Sequence, residues 1–151
     1  GDCGYFFKDF KPQNIIIDDG GNAKLIDYGL CDSIDREPTP NEDSVEGSPL
    51  YMPPERIAGM KEQMSSEIYS LGMVMFHALA KKTYYSATGA YELAHKHVAG
   101  IRIAKVSSRM PNHINPSICE LLDKMISRNP SERMQTYKEV ASAIRNIYNT
   151  L

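Results

Sequence analysis

Apolar residues recur at two different periods along this chain, first at the spacing of strands and then at that of helices. Ile15-Ile16-Ile17 and Ala23-Lys24-Leu25-Ile26 flank Asp18-Asp19-Gly20-Gly21, a turn composition that predicts a β-hairpin over 15–27. Ser33 to Ser48 is rich in proline and acidic residues, too polar to join a core, and is expected to be a loop. A buried helix is expected from Ser66 to Lys81, where Ile68, Leu71, Met75 and Leu79 form one stripe and Met73, Val74 and Phe76 extend it around the other side. A helix that is apolar on most sides needs cover on most sides. A shorter helix is expected over Tyr91 to Val98. Asn115 as N-cap with Pro116 at the first helical position opens another, with Ile118, Leu121, Leu122, Met125 and Ile126 on one face. Thr136 with Glu139 makes a capping box for a last helix that carries Val140, Ala143, Ile144 and Ile147 inward. The pattern is mainly α with a short β-hairpin, without an internal repeat or a domain boundary.

Composition narrows the function classes. With 42% hydrophobic residues, 24% charged residues and a net charge of −2 over 151 residues, the chain is in the ordinary range of one globular domain. Lys and Arg are outnumbered 17 to 19 by Asp and Glu, so no nucleic-acid partner is expected. The nearest approach to a basic patch, Lys81-Lys82 with His95, Lys96 and His97, reads as a solvated helix end and face. No apolar run is long enough for a membrane span, and no membrane partner is expected. Cys3, Cys31 and Cys119 lack metal-ligand spacing, which points to free thiols in a reducing compartment and a cytoplasmic location.

The candidate chemistry is concentrated near the start. Lys8-Asp9-Phe10-Lys11-Pro12-Gln13-Asn14 is followed, thirteen residues after Asn14, by Asp27-Tyr28-Gly29. These stretches resemble the H-R-D-L-x-x-x-N and D-F-G motifs of protein kinases, with Phe7, Lys8, Phe10 and Tyr28 replacing His, Arg, Leu and Phe. Read without the resemblance, the same residues suit a surface hairpin carrying Asp, Lys and Asn. Three further stretches follow in the family's order. Gly47-Ser48-Pro49-Leu50-Tyr51-Met52-Pro53-Pro54-Glu55 resembles the end of the activation segment. Ser66-Glu67-Ile68-Tyr69-Ser70-Leu71-Gly72 resembles the start of the long central helix of the large lobe. Asn129-Pro130-Ser131-Glu132-Arg133 resembles the segment whose arginine pairs with the activation-segment glutamate. From Lys81 to Asn146 the chain is most similar to bacterial Hanks-type serine/threonine kinases, through Tyr91-Glu92-Leu93, His97-Val98 and Arg133-Met134-Gln135-Thr136.

The resemblance implies a kinase-like large lobe and Mg²⁺·ATP-dependent phosphoryl transfer to a protein substrate. In that scheme Asp9 is the catalytic base, Lys11 stabilises the transferring phosphoryl group, and Asn14 and Asp27 hold magnesium. Ile16 contacts the adenine. Gly29 permits a sharp turn after the metal ligand. Tyr28, Gly29, Ser48 and Glu55 belong to the activation segment, and Arg133 pairs with Glu55. Lys11 and Ser48 together favour serine/threonine over tyrosine specificity. Lys8 keeps the charge of the arginine that it replaces but loses the bidentate fork. Glu67 stands for an aspartate that braces the catalytic-loop backbone, and its extra methylene is expected to misplace the brace. It also reads simply as an acidic residue in a helix's first turn. Ser33, Thr39 and Ser44 are candidate phosphoacceptors, set against a solvated acidic loop. His77, Tyr84 and Tyr85 read as packing residues, and Met73 and Met75 as core fillers.

What the family carries upstream is absent from these residues: the small lobe with its glycine-rich loop, lysine and helix glutamate, and the first large-lobe helices. The chain therefore reads as a partial kinase domain over 1–151. The uncovered back of the central helix is expected to bind a small lobe, in the same chain or in trans, or a second copy. ATP and Mg²⁺ binding is expected to be weak or absent without that lobe. Three readings remain open: the catalytic lobe of a serine/threonine kinase, a pseudokinase-like half domain that binds proteins, and a truncated remnant.

Overall fold

The computed structural model describes residues 4–33, 47–99 and 104–150. Its strands are β1 (Tyr5–Phe6), β2 (Ile15–Ile17), β3 (Ala23–Leu25) and β4 (Asp32–Ser33), and its α-helices are α1 (Pro54–Ile57), α2 (Met64–Ala80), α3 (Ala90–Ala99), α4 (Pro116–Met125) and α5 (Tyr137–Asn149).

Strands β2 and β3 form the expected antiparallel hairpin, with Ile15 opposite Leu25 and Ile17 opposite Ala23. Asp18 organises the turn, its Oδ1 accepting from the amides of Gly20 (3.0 Å) and Asn22 (2.9 Å). A second antiparallel pair, β1 with β4, joins Phe6 to Asp32 and Tyr5 to Ser33. Ser33 thus ends a strand where the composition suggested only a loop. Residues 34–46, including Thr39 and Ser44, lie outside the described residues, as does Cys3.

Helix α2 is the axis of the fold. It begins at Met64, two residues before Ser66, because Ser66 Oγ accepts from the Gln63 amide at 3.0 Å and so fixes the first turn. Ile68, Tyr69, Met73 and Phe76 are its most enclosed large side chains, whereas Leu71, Met75 and Leu79 are only half-buried. Apart from Ile68, the expected stripe is therefore the less covered side. On the flank that Gly72 shares with Ile68 and Phe76, α4 comes so close that a Cβ on Gly72 would stand 2.8 Å from Ile126 Cγ2 and 2.9 Å from Met125 Cβ. Asn115 caps α4 by accepting from the Ser117 amide at 2.8 Å, and Leu121, Leu122, Met125 and Ile126 are buried with Cys119 beside them. On α5, Thr136 Oγ1 accepts from the Glu139 amide (3.2 Å), while Glu139 reaches back to the Gln135 amide (3.0 Å). Val140 of α5 is buried and Ala143 and Ile147 pack half-buried against the core, but Ile144, expected inside, is 36% exposed.

Phe76, Tyr84 and Tyr85 stack edge to face, with centroids 4.9 and 5.1 Å apart. Burial pushes the Tyr85 hydroxyl up to about 12. His97 corrects the picture of a solvated α3 face: it is 1% exposed, its Nδ1 lies 2.8 Å from the Tyr69 hydroxyl, and its ring lies 4.4 Å from that of Tyr85. Its neighbours on α3 are solvent-facing, Lys96 pairing with Glu92 at 2.6 Å. Burial holds the His97 imidazole down at about 4. His77 is half-buried, its Nδ1 2.7 Å from the Tyr51 hydroxyl.

Arg133 fixes the relative placement of these parts. Its Nη1 and Nη2 donate to the two carboxylate oxygens of Glu55 at 2.6 and 3.0 Å. The remaining donors go to the carbonyls of Ser65 (3.1 Å), Ser127 (2.6 Å) and Arg128 (3.0 Å). The guanidinium also lies 4.8 Å from the centre of the Tyr69 ring. Burial alone would raise the Glu55 carboxyl, but Arg133 outweighs it and holds it below the ordinary carboxylate range.

Two outcomes follow. Replacing Glu55 by Gln strands the buried guanidinium and should cost about 3–5 kcal/mol in denaturant unfolding, against a smaller loss for an exposed control such as Glu120→Gln. For His97, the unfolded imidazole titrates near 6.5 and the folded one at about 4. Between those values the unfolded state binds the extra proton, so stability falls as pH drops from about 6.5 to 4 and is unaffected by this group above 6.5. His97→Gln should flatten that slope relative to the wild type in unfolding midpoints measured at pH 7.5, 6 and 5.

Candidate active site

The catalytic-loop candidates lie between β1 and β2. Pro12–Asn14 forms a single 3₁₀ turn, in which the Asn14 amide donates to the Lys11 carbonyl at 3.0 Å. This turn folds Lys11 and Asn14 back onto Asp9. Asp9 Oδ2 accepts from Lys11 Nζ at 2.5 Å and from Asn14 Nδ2 at 2.9 Å, and the same amide group also donates to the Asp9 carbonyl at 3.1 Å. Asp9 is 5% exposed, and its other oxygen, Oδ1, is buried without a hydrogen-bond partner. The Asn14 amide hydrogens being spent on Asp9, its carbonyl oxygen is the atom left to face a cation.

Asp27 follows β3. Ile26 donates its amide to the Asn14 carbonyl at 2.9 Å, which sets Asp27 one residue from a backbone bond to Asn14. Asp27 is exposed and left-handed, with φ 64°. The unusual backbone thus belongs to Asp27 rather than to Gly29, whose φ is not positive. Gly29 sits inside the turn closed by the Cys31 amide on the Tyr28 carbonyl (3.1 Å), where a Cβ would come 3.2 Å from Asp27 Oδ1. Tyr28 is 64% exposed and satisfies its hydroxyl on the Leu25 carbonyl at 2.9 Å.

The backbone under Asp9 is gripped from α2. Glu67 accepts from the amides of Phe7 (2.7 Å) and Lys8 (3.0 Å), so its extra methylene is accommodated and the brace is made. Burial raises its carboxyl above the ordinary range although both amides pull the other way. Tyr137 adds its hydroxyl at 3.3 Å. Phe7 packs edge to face on Phe10, with centroids 5.1 Å apart. Lys8 turns its ammonium to Asp32 (2.9 Å) and faces Glu62 (3.7 Å).

Other candidates stand apart from this cluster. Ile16 lies on β2, 49% exposed. Ser48 is half-buried and gives its carbonyl to the Tyr51 amide at 3.0 Å, and Ser33 is half-buried on β4. Glu55 and Arg133 meet on the far side of α2's first turn. Beside the site, Phe6, Phe7, Phe10, Leu25, Met64 and Leu71 line an open apolar groove of about 620 Å³. Arg56, Glu62 and Tyr137 were not singled out by the sequence, because isolated charges and a helix-end tyrosine carry no periodic or motif signal.

The protein kinase domain family matches residues 2–144. The chain is 30% identical over 142 residues to the serine/threonine-protein kinase PknA of Mycobacterium tuberculosis, covering 94% of this chain and 32% of that protein. It is 27% identical over 146 residues to PrkC of Bacillus subtilis, covering 94% and 22%. It is 32% identical over 131 residues to Nek9 of Mus musculus, covering 87% and 13%. The chain thus spans a third or less of the length of these curated relatives. The order and spacing of the motifs around Asp9, Asp27, Glu55 and Arg133 agree with this match over 143 of 151 residues, from 2 to 144, and the chain belongs to the protein kinase family.

Proposed function

We propose that this chain is the catalytic large lobe of a serine/threonine protein kinase, which transfers the terminal phosphoryl group of Mg²⁺·ATP to a protein hydroxyl when a small lobe completes it. The observation that carries the reading is the asymmetry of Asp9: Lys11 and Asn14 hold Oδ2, while Oδ1 is buried and uncommitted. A carboxylate held by one oxygen keeps a fixed orientation, and a small turn of the side chain brings its uncommitted oxygen out to a substrate hydroxyl. Asp9 Oδ1 accepts the hydroxyl proton as the hydroxyl oxygen bonds to the terminal phosphorus and the bond to the bridging oxygen breaks, releasing ADP. Lys11 lies next to Asp9 and offsets the charge of the transferring group.

The donor set fits magnesium. The Asn14 side-chain oxygen and the Asp27 carboxylate are hard oxygen ligands, and Mg²⁺ commonly takes only one or two protein ligands beside substrate phosphates. When bound, the ion would neutralise the charge of the phosphates. Ile16, exposed on β2, is suited to one face of the adenine, and a second wall must come from elsewhere. The similarity to PknA and PrkC, each named a serine/threonine-protein kinase, supports the choice of acceptor. The two described cysteines, Cys31 and Cys119, are free thiols, which suits a cytoplasmic setting. Among the described residues no helix is long and apolar enough to cross a membrane.

The groove favours completion by another element. Leu71, Phe7, Phe10 and Leu25 face it, and enclosing such apolar surface is worth roughly 25 cal/mol per Å². A small lobe and its helices, in the same protein or on a partner, would cover it. The same surface could instead serve a non-catalytic, protein-binding role or a self-association, in which case Asp9 would be dispensable.

Phosphate transfer from labelled ATP to a generic serine substrate, with the small lobe supplied, decides between them. Asp9→Asn should lower turnover by about 10²–10⁴-fold with the fold retained. Equal turnover would remove Asp9 from its role.

A further inference from the structure

The backbone on which Asp9 stands is held in an unfavourable conformation by Glu67, which a motif includes, and by Arg56 and Glu62, which none does. Lys8 has φ 64°, a left-handed value costly for a residue with a long side chain. Its two flanking peptide planes are gripped separately. Glu67 takes the amides of Phe7 and Lys8 (2.7 and 3.0 Å), and the Lys8 carbonyl accepts a hydrogen bond from Arg56 Nη1. That carbonyl belongs to the planar unit whose amide is Asp9's own, so orienting it orients the start of Asp9.

Arg56 is itself held. Glu62 Oε1 accepts from its Nε at 2.7 Å and lies 2.6 Å from its Nη2, the latter too poorly aligned for a second hydrogen bond and so an ion-pair contact. Glu62 Oε2 faces Lys8 Nζ at 3.7 Å, so one carboxylate spans both cations. The side chains of Arg56 and Glu62 are 10% and 12% exposed, which limits screening by salt. The activation segment touches the same bridge. Gly47 has φ 119°, and a Cβ there would stand 3.5 Å from Arg56 Nη1 and 3.6 Å from the Lys8 carbonyl oxygen. Arg56 also directly follows Glu55, which Arg133 anchors.

We propose that Arg56, held by Glu62, is a positioning residue for Asp9, which makes the orientation of that carboxylate depend on how the 47–55 segment is seated. The inference rests on the phosphotransfer reading for its catalytic consequence, but not for its structural one. Arg56 acts through the Lys8 carbonyl and not as a catalytic group. Without it, the Lys8–Asp9 peptide is free to rotate toward ordinary negative φ, and Asp9 loses its aim while Lys11 and Asn14 remain in place. Charge alone is insufficient, because the role needs a fork that reaches a carbonyl and a carboxylate together.

The test uses the protein completed by its small lobe and compares Arg56→Gln, Arg56→Lys and Glu62→Gln with the wild type. Amide hydrogen exchange by mass spectrometry over residues 5–10 is read beside exchange over α4 as a fold control. Arg56→Gln should speed exchange over 5–10 at least tenfold and leave α4 unchanged. It should lower kcat roughly tenfold to a hundredfold, with KM for ATP and for the serine substrate within about twofold. Arg56→Lys should fall between, and Glu62→Gln should follow Arg56→Gln in direction even if the arginine variant fails to fold. Unchanged exchange over 5–10 would overturn the proposal. So would exchange that rises evenly through α4, which would make Arg56 a general stabiliser. Asp9→Asn is assayed alongside: if it retains full turnover, the phosphotransfer reading fails, and the exchange over 5–10 alone decides whether Arg56 positions the loop.

Discussion

Arg133 is the point on which the fold closes. Its five N–H donors find five acceptors: both oxygens of Glu55 and the carbonyls of Ser65, Ser127 and Arg128. A buried guanidinium is expensive to desolvate, and a partial set of partners would leave that cost uncompensated. Satisfaction therefore requires that the end of the activation segment, the first turn of α2 and the loop after α4 all arrive together. The flat face against Tyr69 extends the demand to the aromatic cluster that holds His97. Such a node contributes a unique arrangement more than raw stability, since any displaced segment strands a charged donor.

The active-site cluster inherits its geometry from this frame. Glu67 sits on α2 three residues after the start that Ser66 fixes, and from there it reaches both amides beneath Asp9. The aspartate that the family carries at this position would be one methylene shorter; here the longer side chain makes both bonds. Glu55 and Arg56 are adjacent, one anchored to Arg133 and the other to the Lys8 carbonyl. The activation segment and the catalytic loop thus share a support two residues wide. On the opposite side, the hairpin presents Asp27 and Asn14 through a single backbone bond, from the Ile26 amide to the Asn14 carbonyl.

Local signals predicted local structure well. The hairpin turn at Asp18, the Asn115-Pro116 helix start and the Thr136 cap each depend on side chains a few residues apart, and each forms where expected. Motif spacing also pointed to the pairing of Glu55 with Arg133, although that came from resemblance rather than from composition. What escaped was set by contacts distant in sequence. Nothing near His97 marks it as buried, because its partners are Tyr69 and Tyr85 on other elements. The two-residue pairing of β1 with β4 is too short for any periodicity. On α2 both sides are apolar, so the pattern could not say which side α4 would cover; Gly72, which admits α4 closely, was the residue that decided it. The ties of Arg56 to Glu62 and to Lys8 involve charges that read, in a sequence, like any solvated pair.

On the proposed phosphotransfer reading, Asp9 is the proton acceptor, Asn14 and Asp27 turn oxygens to a metal, and Ile16 supplies one wall for a nucleotide beside an apolar groove of about 620 Å³ that a small lobe would cover. Calorimetric titration of Mg²⁺·ATP into these 151 residues alone and again with a small lobe added tests that view most directly. Binding too weak to detect in the first titration and clear saturation in the second is the predicted result. Micromolar binding by the 151 residues alone, unchanged by the added lobe, would contradict it.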